Sequence, residues 1–172
     1  MDFKTFLNHV LTDTKVKLTE AFDRNFERKG FFNQKWPETK IPNRRGSLMM
    51  RTGTLRRSIR STIEGSSVRW TSSVPYAQVH NSGGEIEVTA KMKRYFWAMY
   101  YKVSGAAKGS KGTKGKALSM EAEYYKALAL KKVGDKLSIP KRQFIGDHPE
   151  VKRMIDEIIN YNLNEVFKNI KP

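Results

Sequence analysis

The sequence predicts an α+β protein in which a small, mainly antiparallel sheet is packed by amphipathic helices from both ends of the chain. Apolar residues recur at helical spacing near the N-terminus and near the C-terminus. Between these two regions lie short runs of β-forming residues that are separated by turn residues. At 172 residues the chain is expected to form a single domain, 1–172, with a helix–loop–helix insertion at about 89–132.

The first helix is predicted over residues 2–29, where apolar side chains at three- and four-residue spacing form one stripe. Gly30 follows this segment and is a typical C-terminal stop. Residues 30–50 are predicted to be a loop, because Trp36-Pro37 and Ile41-Pro42 are incompatible with a continuous helix.

The central segment is predicted to contain a short helical turn and a hairpin. Residues 52–58 suit the helical turn, and strands at 58–64 and 68–74 flank a Gly-Ser-Ser turn. A further turn of helix is predicted at residues 76–80. The alternating pattern of residues 85–88 predicts a third strand of the same sheet.

The insertion is predicted to be two helices joined by a mobile loop. Thr89 is a suitable cap for an aromatic helix over about 90–103. Residues 104–116 consist of small residues and lysine, a composition typical of a mobile loop. A second helix is predicted at 119–132, with Ser119 as its cap.

The C-terminal part is predicted to be a short strand and a long helix. The strand covers residues 136–140 and ends at Pro140. Asp147 and Glu150 have the spacing of a capping box, and Pro149 suits a first helical turn. The apolar stripe from Val151 to Ile170 needs a partner surface, and the sheet is the expected one.

Positive charge is concentrated in the middle of the chain. Lys and Arg total 33 against 17 Asp and Glu, a net charge of +16. Residues 40–69 contain eight basic residues and one acid, and residues 91–116 contain eight basic residues and no acid. Such a field attracts nucleic acid, an acidic protein surface or anionic lipid, although a cationic surface with no specific partner is the simpler alternative. The candidate contact residues are Arg44, Arg45, Arg56, Arg57, Lys108, Lys111, Lys114 and Lys116.

The sequence contains no recognisable catalytic constellation. It has no Cys, and its three His lack the spacing of a helical metal-ligand set. His80 is therefore expected to be a hydrogen-bonded structural residue. Neither a nucleophile elbow nor a phosphate-binding loop is present. We expect no enzymatic activity, no cofactor and no metal. The absence of a long apolar run or a signal-peptide pattern also predicts no membrane association.

Three separated motifs carry a family resemblance: Leu48–Ile59, Pro75–Gly84 and Ile139–Gly146. Together, in this order and spacing, they resemble the phage virion morphogenesis family, the tail completion proteins of Mu-like and related tailed phages. The resemblance covers roughly residues 1–30 and 48–170, and the insertion departs from it. The motif residues predicted to determine the fold are Gly53, Leu55, Tyr76, His80, Gly83, Gly84, Pro140 and Phe144.

The resemblance implies a structural virion protein at the head-proximal end of the tail or in the neck. It implies that the protein joins tail to head as one subunit of a homo-oligomeric ring. The implied partners are tail tube and neck or head-connector proteins, with possible non-specific contact with DNA. The implied location is the virion, and the host cytoplasm during assembly. The alternative is a basic nucleic-acid-binding protein, because basic residues lie beside Tyr95, Phe96 and Trp97.

Overall fold

The computed structural model of the chain describes residues 2–39 and 47–168. They form two compact units, the first made of Met1–Gly83 with Pro140–Pro172 and the second of Gly84–Ile139. Each unit combines helices with antiparallel strand pairs. The predicted α+β class is therefore confirmed.

The first unit begins with helix α1, Phe3–Arg28. Asp2 caps it, because its side chain accepts a hydrogen bond of 2.7 Å from the backbone N–H of Thr5. The helix ends at Arg28, and the left-handed residue that caps it is Lys29, with φ 54°, so the prediction of Gly30 as the stop was wrong by one residue. Gly30 instead permits a close strand contact, since a Cβ on it would lie 2.7 Å from the carbonyl oxygen of Gln34.

A two-stranded hairpin follows α1 where the sequence predicted a loop. Its strands are β1, Gly30–Phe31, and β2, Gln34–Lys35. The loop prediction was wrong here because burial favours the hairpin: Phe31 is 2 % exposed and its ring lies 6.4 Å from that of Phe22.

The predicted helical turns and the larger hairpin are confirmed. Helix α2, Thr54–Ser58, leads into strands β3, Ile59–Glu64, and β4, Ser67–Ser72. The two strands pair antiparallel from one end to the other. Helix α3, Ala77–Ser82, follows them.

The last element of the first unit is helix α6, Pro149–Lys168, which packs against α1. The sheet was the predicted partner, so this expectation was wrong. Phe22 and Val151 share one buried cluster, which brings the two apolar stripes together. Farther along, Asn162 donates a hydrogen bond of 2.8 Å to Asp13.

The predicted capping box of Asp147 and Glu150 is replaced by a different cap. His148 precedes α6, and its ring Nδ1 accepts a hydrogen bond of 3.1 Å from the backbone N–H of Glu150. The Glu150 carboxylate binds Arg153 at 2.7 Å instead of reaching back to the cap.

The second unit is a helical hairpin beside one strand pair. Helices α4, Ala90–Lys108, and α5, Gly112–Leu130, are joined by only three residues. Strand β5, Gly84–Glu87, pairs with β6, Lys136–Ile139. The predicted third strand therefore does not join the β3–β4 hairpin, and three two-stranded ladders replace the single sheet among the described residues.

The Thr89 cap is confirmed, because its Oγ1 accepts a hydrogen bond of 3.2 Å from the N–H of Met92. The predicted mobile loop at 104–116 was wrong, since helices cover most of it. Ser119 lies inside α5 and donates to the carbonyl oxygen of Gly115. Gly115, Ala122 and Ala129 are buried at seven-residue spacing in α5. Leu118 and Ala122 form one buried cluster with Val103 of α4, so packing between the two helices stabilises both.

Candidate functional site

The third motif, Ile139–Gly146, is held in place by amide side chains from distant parts of the chain. The Oδ1 atom of Asn81 accepts hydrogen bonds of 2.9 Å from the N–H of Phe144 and 3.0 Å from that of Ile145. Its Nδ2 donates to the carbonyl oxygen of Ile145 at 3.0 Å. One side chain of the second motif therefore satisfies three backbone groups of the third.

Two residues from the N-terminal part complete this arrangement. Asn25 is fully buried, and its Nδ2 donates a hydrogen bond of 3.2 Å to the carbonyl oxygen of Phe144. Trp36 Nε1 donates to the carbonyl oxygen of Gln143 at 2.6 Å. The Phe144 ring lies 5.2 Å from that of Phe26, inside the core cluster that also contains Leu55.

Asn25 and Asn81 were missed as key residues by the sequence analysis. For Asn25 the available signal was a polar residue directly before Phe26, beside the apolar stripe of α1. For Asn81 it was an asparagine inside the second motif. Both amides serve buried or half-buried backbone groups, which no periodic pattern reports.

Glycine is required where the second and third motifs meet. Gly83 has φ +72°, and a Cβ on it would lie 3.0 Å from the backbone nitrogen of Lys141. The N–H of Arg142 also donates a hydrogen bond of 2.7 Å to the carbonyl oxygen of His80. Gly84 has φ 146°, and Pro140 follows β6 directly.

Residues of all three motifs line one open cleft of about 600 Å³, which we call the motif cleft. Its lining residues are Thr39, Leu48, Met49, Arg51, Thr52, Gly53, Thr54, Leu55, Tyr76, His80 and Arg142. Four predicted fold determinants, Gly53, Leu55, Tyr76 and His80, thus lie around a common space.

Arg142 places a buried positive charge in the wall of the motif cleft. Its residue is 6 % exposed, and burial lowers the pKa of its guanidinium. Its Nε donates a hydrogen bond of 2.9 Å to the carbonyl oxygen of Pro37, and its Nη2 donates one of 3.2 Å to the carbonyl oxygen of Glu38. Within residues 2–39 and 47–168, no carboxylate forms an ion pair with Arg142.

His80 lies beside this charge, and its ring differs from the hydrogen-bonded residue that the sequence predicted. Its Nδ1 is buried and has no hydrogen-bond partner among the described residues. Burial lowers the pKa of His80, and the nearby charge of Arg142 lowers it further. Both effects favour the neutral form of the ring.

The predicted basic contact residues do not share one environment. Arg56 binds two carboxylates of α1, Asp23 and Glu27, and these hydrogen bonds raise the pKa of Arg56. Its charge is thus compensated within the protein. Arg57 is exposed, and its side chain donates a hydrogen bond of 2.8 Å to the carbonyl oxygen of Thr52. Arg44 and Arg45 lie outside the described residues.

The four candidate lysines lie around the turn between α4 and α5, in the second unit. All four are exposed, and among the described residues none forms an ion pair: Lys108, Lys111, Lys114 and Lys116. This turn is the strongest uncompensated positive patch of the candidate set.

Two further features concern sites of other kinds. No three His, Asp or Glu side chains cluster closely enough to hold a metal ion in the part of the chain that the structure describes. None of the described helices is long and apolar enough to cross a membrane.

Comparison with known protein families matches residues 28–164 to the phage virion morphogenesis family. The chain belongs to this family. The match contains all three motifs and the whole α4–α5 hairpin, so the resemblance carried by the motifs is confirmed. Comparisons with curated proteins and with solved structures gave no match.

Family membership makes the protein a virion-associated structural protein of a bacteriophage, acting in morphogenesis. Within this family member, the motif cleft contains the buried, uncompensated Arg142, and the α4–α5 turn exposes a lysine cluster.

Proposed function

We propose that this protein completes the phage tail and helps to join it to the head, as one subunit of a homo-oligomeric ring at the tail–neck end. Membership of the virion morphogenesis family over residues 28–164 is the observation that carries the proposal. Its neighbours would be the tail tube and the neck or head-connector proteins. Its location would be the tail or neck of the virion, and the host cytoplasm during assembly.

The proposed role is non-enzymatic and acts through protein packing. No described side chains form a recognisable nucleophile, base and orienting group. The buried framework of amides around the third motif supports a rigid subunit, because each of its backbone groups has a fixed partner.

The lysine cluster of the α4–α5 turn is proposed to face DNA in the ring lumen or an acidic surface of a partner. The support is that all four side chains are exposed and form no ion pair with any residue in the described ranges. Arg56 is not part of this proposed surface, because Asp23 and Glu27 already neutralise it.

The second candidate function is nucleic-acid binding outside the virion, which the same lysine cluster favours. Light scattering after size exclusion, across protein concentration and with or without short duplex DNA, separates the two. A closed oligomer several times the subunit mass of 19.9 kDa, unchanged by DNA, supports the ring. A monomer whose mass changes only with DNA, through binding that weakens steeply with salt, supports the alternative.

A charge-reversal variant tests the lysine cluster itself. Replacing Lys108, Lys111, Lys114 and Lys116 by Glu is expected to reduce the yield of DNA-filled, joined particles. Replacing the same number of exposed lysines elsewhere, Lys4, Lys17, Lys35 and Lys152, gives the matched control. Equal yields from both variants would remove the cluster from the proposed contact surface.

A further inference from the structure

We infer that the motif cleft binds a segment of a partner protein, and that an Asp or Glu side chain of this segment pairs with Arg142. The inference concerns the cleft alone and does not depend on where in the virion the protein lies. It rests on an uncompensated buried charge, an unpaired ring nitrogen and the apolar walls around them.

Among the residues that the structure describes, no carboxylate serves as a counter-ion to the buried charge of Arg142. Two hydrogen bonds to backbone carbonyls, of Pro37 and Glu38, satisfy part of its guanidinium. Burying a charge is costly unless an opposite charge pairs with it. The residues outside the described ranges, 1, 40–46 and 169–172, contain no Asp or Glu side chain that could supply one. An acidic side chain in this cleft would therefore come from another molecule.

His80 gives a second and independent indication. Its Nδ1 is a buried hydrogen-bonding atom without a partner among the described residues, which is uncommon in native proteins. It lines the same cleft as Arg142.

The cleft walls favour a polypeptide over a phosphate or DNA. Leu48, Met49 and Leu55 line the cleft, and Tyr76 lies on it with 42 % exposure. Inorganic phosphate has no apolar surface, and a DNA duplex presents mainly charged phosphate oxygens to a protein surface. An acidic peptide segment with apolar neighbours can cover these side chains. The volume of about 600 Å³ suits a few side chains and lies within the ~300–1,000 Å³ typical of ligand pockets. A carboxylate also matches the planar guanidinium in a bidentate pair.

The test uses the full chain and a capped peptide of alternating Glu and Leu, observed by NMR. The signals followed are the His80 ring and the Nε–H of Arg142. Saturable shifts of both are expected, while His9 and His148 stay unchanged. A peptide with Gln in place of Glu is expected to give no saturable shift, because the carboxylate is the recognised group.

Variants assign the binding to the cleft. Arg51→Glu reverses an exposed charge in the cleft lining and is expected to weaken peptide affinity by at least about five-fold. Arg60→Glu makes the same change at an exposed position outside the lining, and is expected to alter affinity by less than about two-fold. Neither position is buried, so both variants should fold.

Four results would each overturn the inference. They are no saturable shift with the Glu peptide, equal shifts with the Gln peptide, equal weakening by the two variants, and binding of inorganic phosphate or a short DNA duplex at these signals in place of the peptide.

Discussion

At the scale of single residues, the join between the second and third motifs depends on groups that carry no charge. Asn81 satisfies three backbone groups of residues 144 and 145, and Gly83 lets the chain pass close to Lys141. Arg142, the residue after Lys141, is thereby fixed in the wall of the motif cleft. Backbone packing therefore shapes the motif cleft and also positions Arg142 in its wall.

Gly83→Ala is expected to destabilise the protein more than Gly65→Ala. Both glycines have positive φ, and Gly83, with φ 72° and ψ 176°, lies in a region that essentially only glycine adopts. Substitution therefore costs about 1 kcal/mol of backbone strain at Gly65 and about 1–3 kcal/mol at Gly83. Only at Gly83 would the new Cβ also press on backbone, that of Lys141 at 3.0 Å, whereas Gly65 has nothing within 4 Å. Urea unfolding should show Gly83→Ala less stable than Gly65→Ala by at least about 1 kcal/mol; equal losses would contradict the close contact.

His80 makes a pH-dependent contribution to stability. Its pKa is lowered in the folded state, so the unfolded chain binds a proton more readily than the folded chain does. The contribution of His80 to the free energy of unfolding is therefore constant at pH values above the ordinary histidine pKa of about 6.5. This contribution falls as the pH drops below that value. Between pH 7 and pH 5, wild type should lose more stability than His80→Gln. His9→Gln, at an exposed position, is the control and should follow wild type.

At the scale of elements, the helices of the first unit and the β3–β4 hairpin follow from periodicity and turn residues. Residues 104–116 do not, because their Gly and Lys content is typical of loops while the decisive factor is packing against a neighbouring helix. Gly115 lies against the backbone of Ser110 in the turn between the two helices, and its sequence context does not show this contact. The same limit applies to the motif cleft, which the sequence analysis did not predict, because the cleft and the partners of the buried amides depend on tertiary contacts.

Gly105→Ala and Gly115→Ala should have opposite effects. Gly105 lies exposed inside α4 with open space around it, so Ala should stabilise the helix by about 0.5–1 kcal/mol. A Cβ on Gly115 would lie 2.4 Å from the carbonyl oxygen of Ser110, so Ala there should destabilise. Thermal unfolding followed by circular dichroism measures both. A neutral effect at both positions would favour the mobile loop that the composition suggests.

At the scale of the whole molecule, the two units divide the candidate surfaces. The first unit contains the motif cleft, which is proposed to receive an acidic protein segment. The second contains the exposed lysine cluster of the α4–α5 turn, which is proposed to face DNA or an acidic surface. A subunit that binds one partner through each unit is suited to joining structures, which is the role proposed for this family member.

The most direct test of the central claim is an electron-microscopy count of particles in lysates of a phage that lacks this protein. Tail completion predicts DNA-filled heads and separate tails, few joined particles, and restoration of joined particles when the wild-type protein is supplied. Joined, infectious particles at the wild-type fraction without the protein would contradict the proposed role.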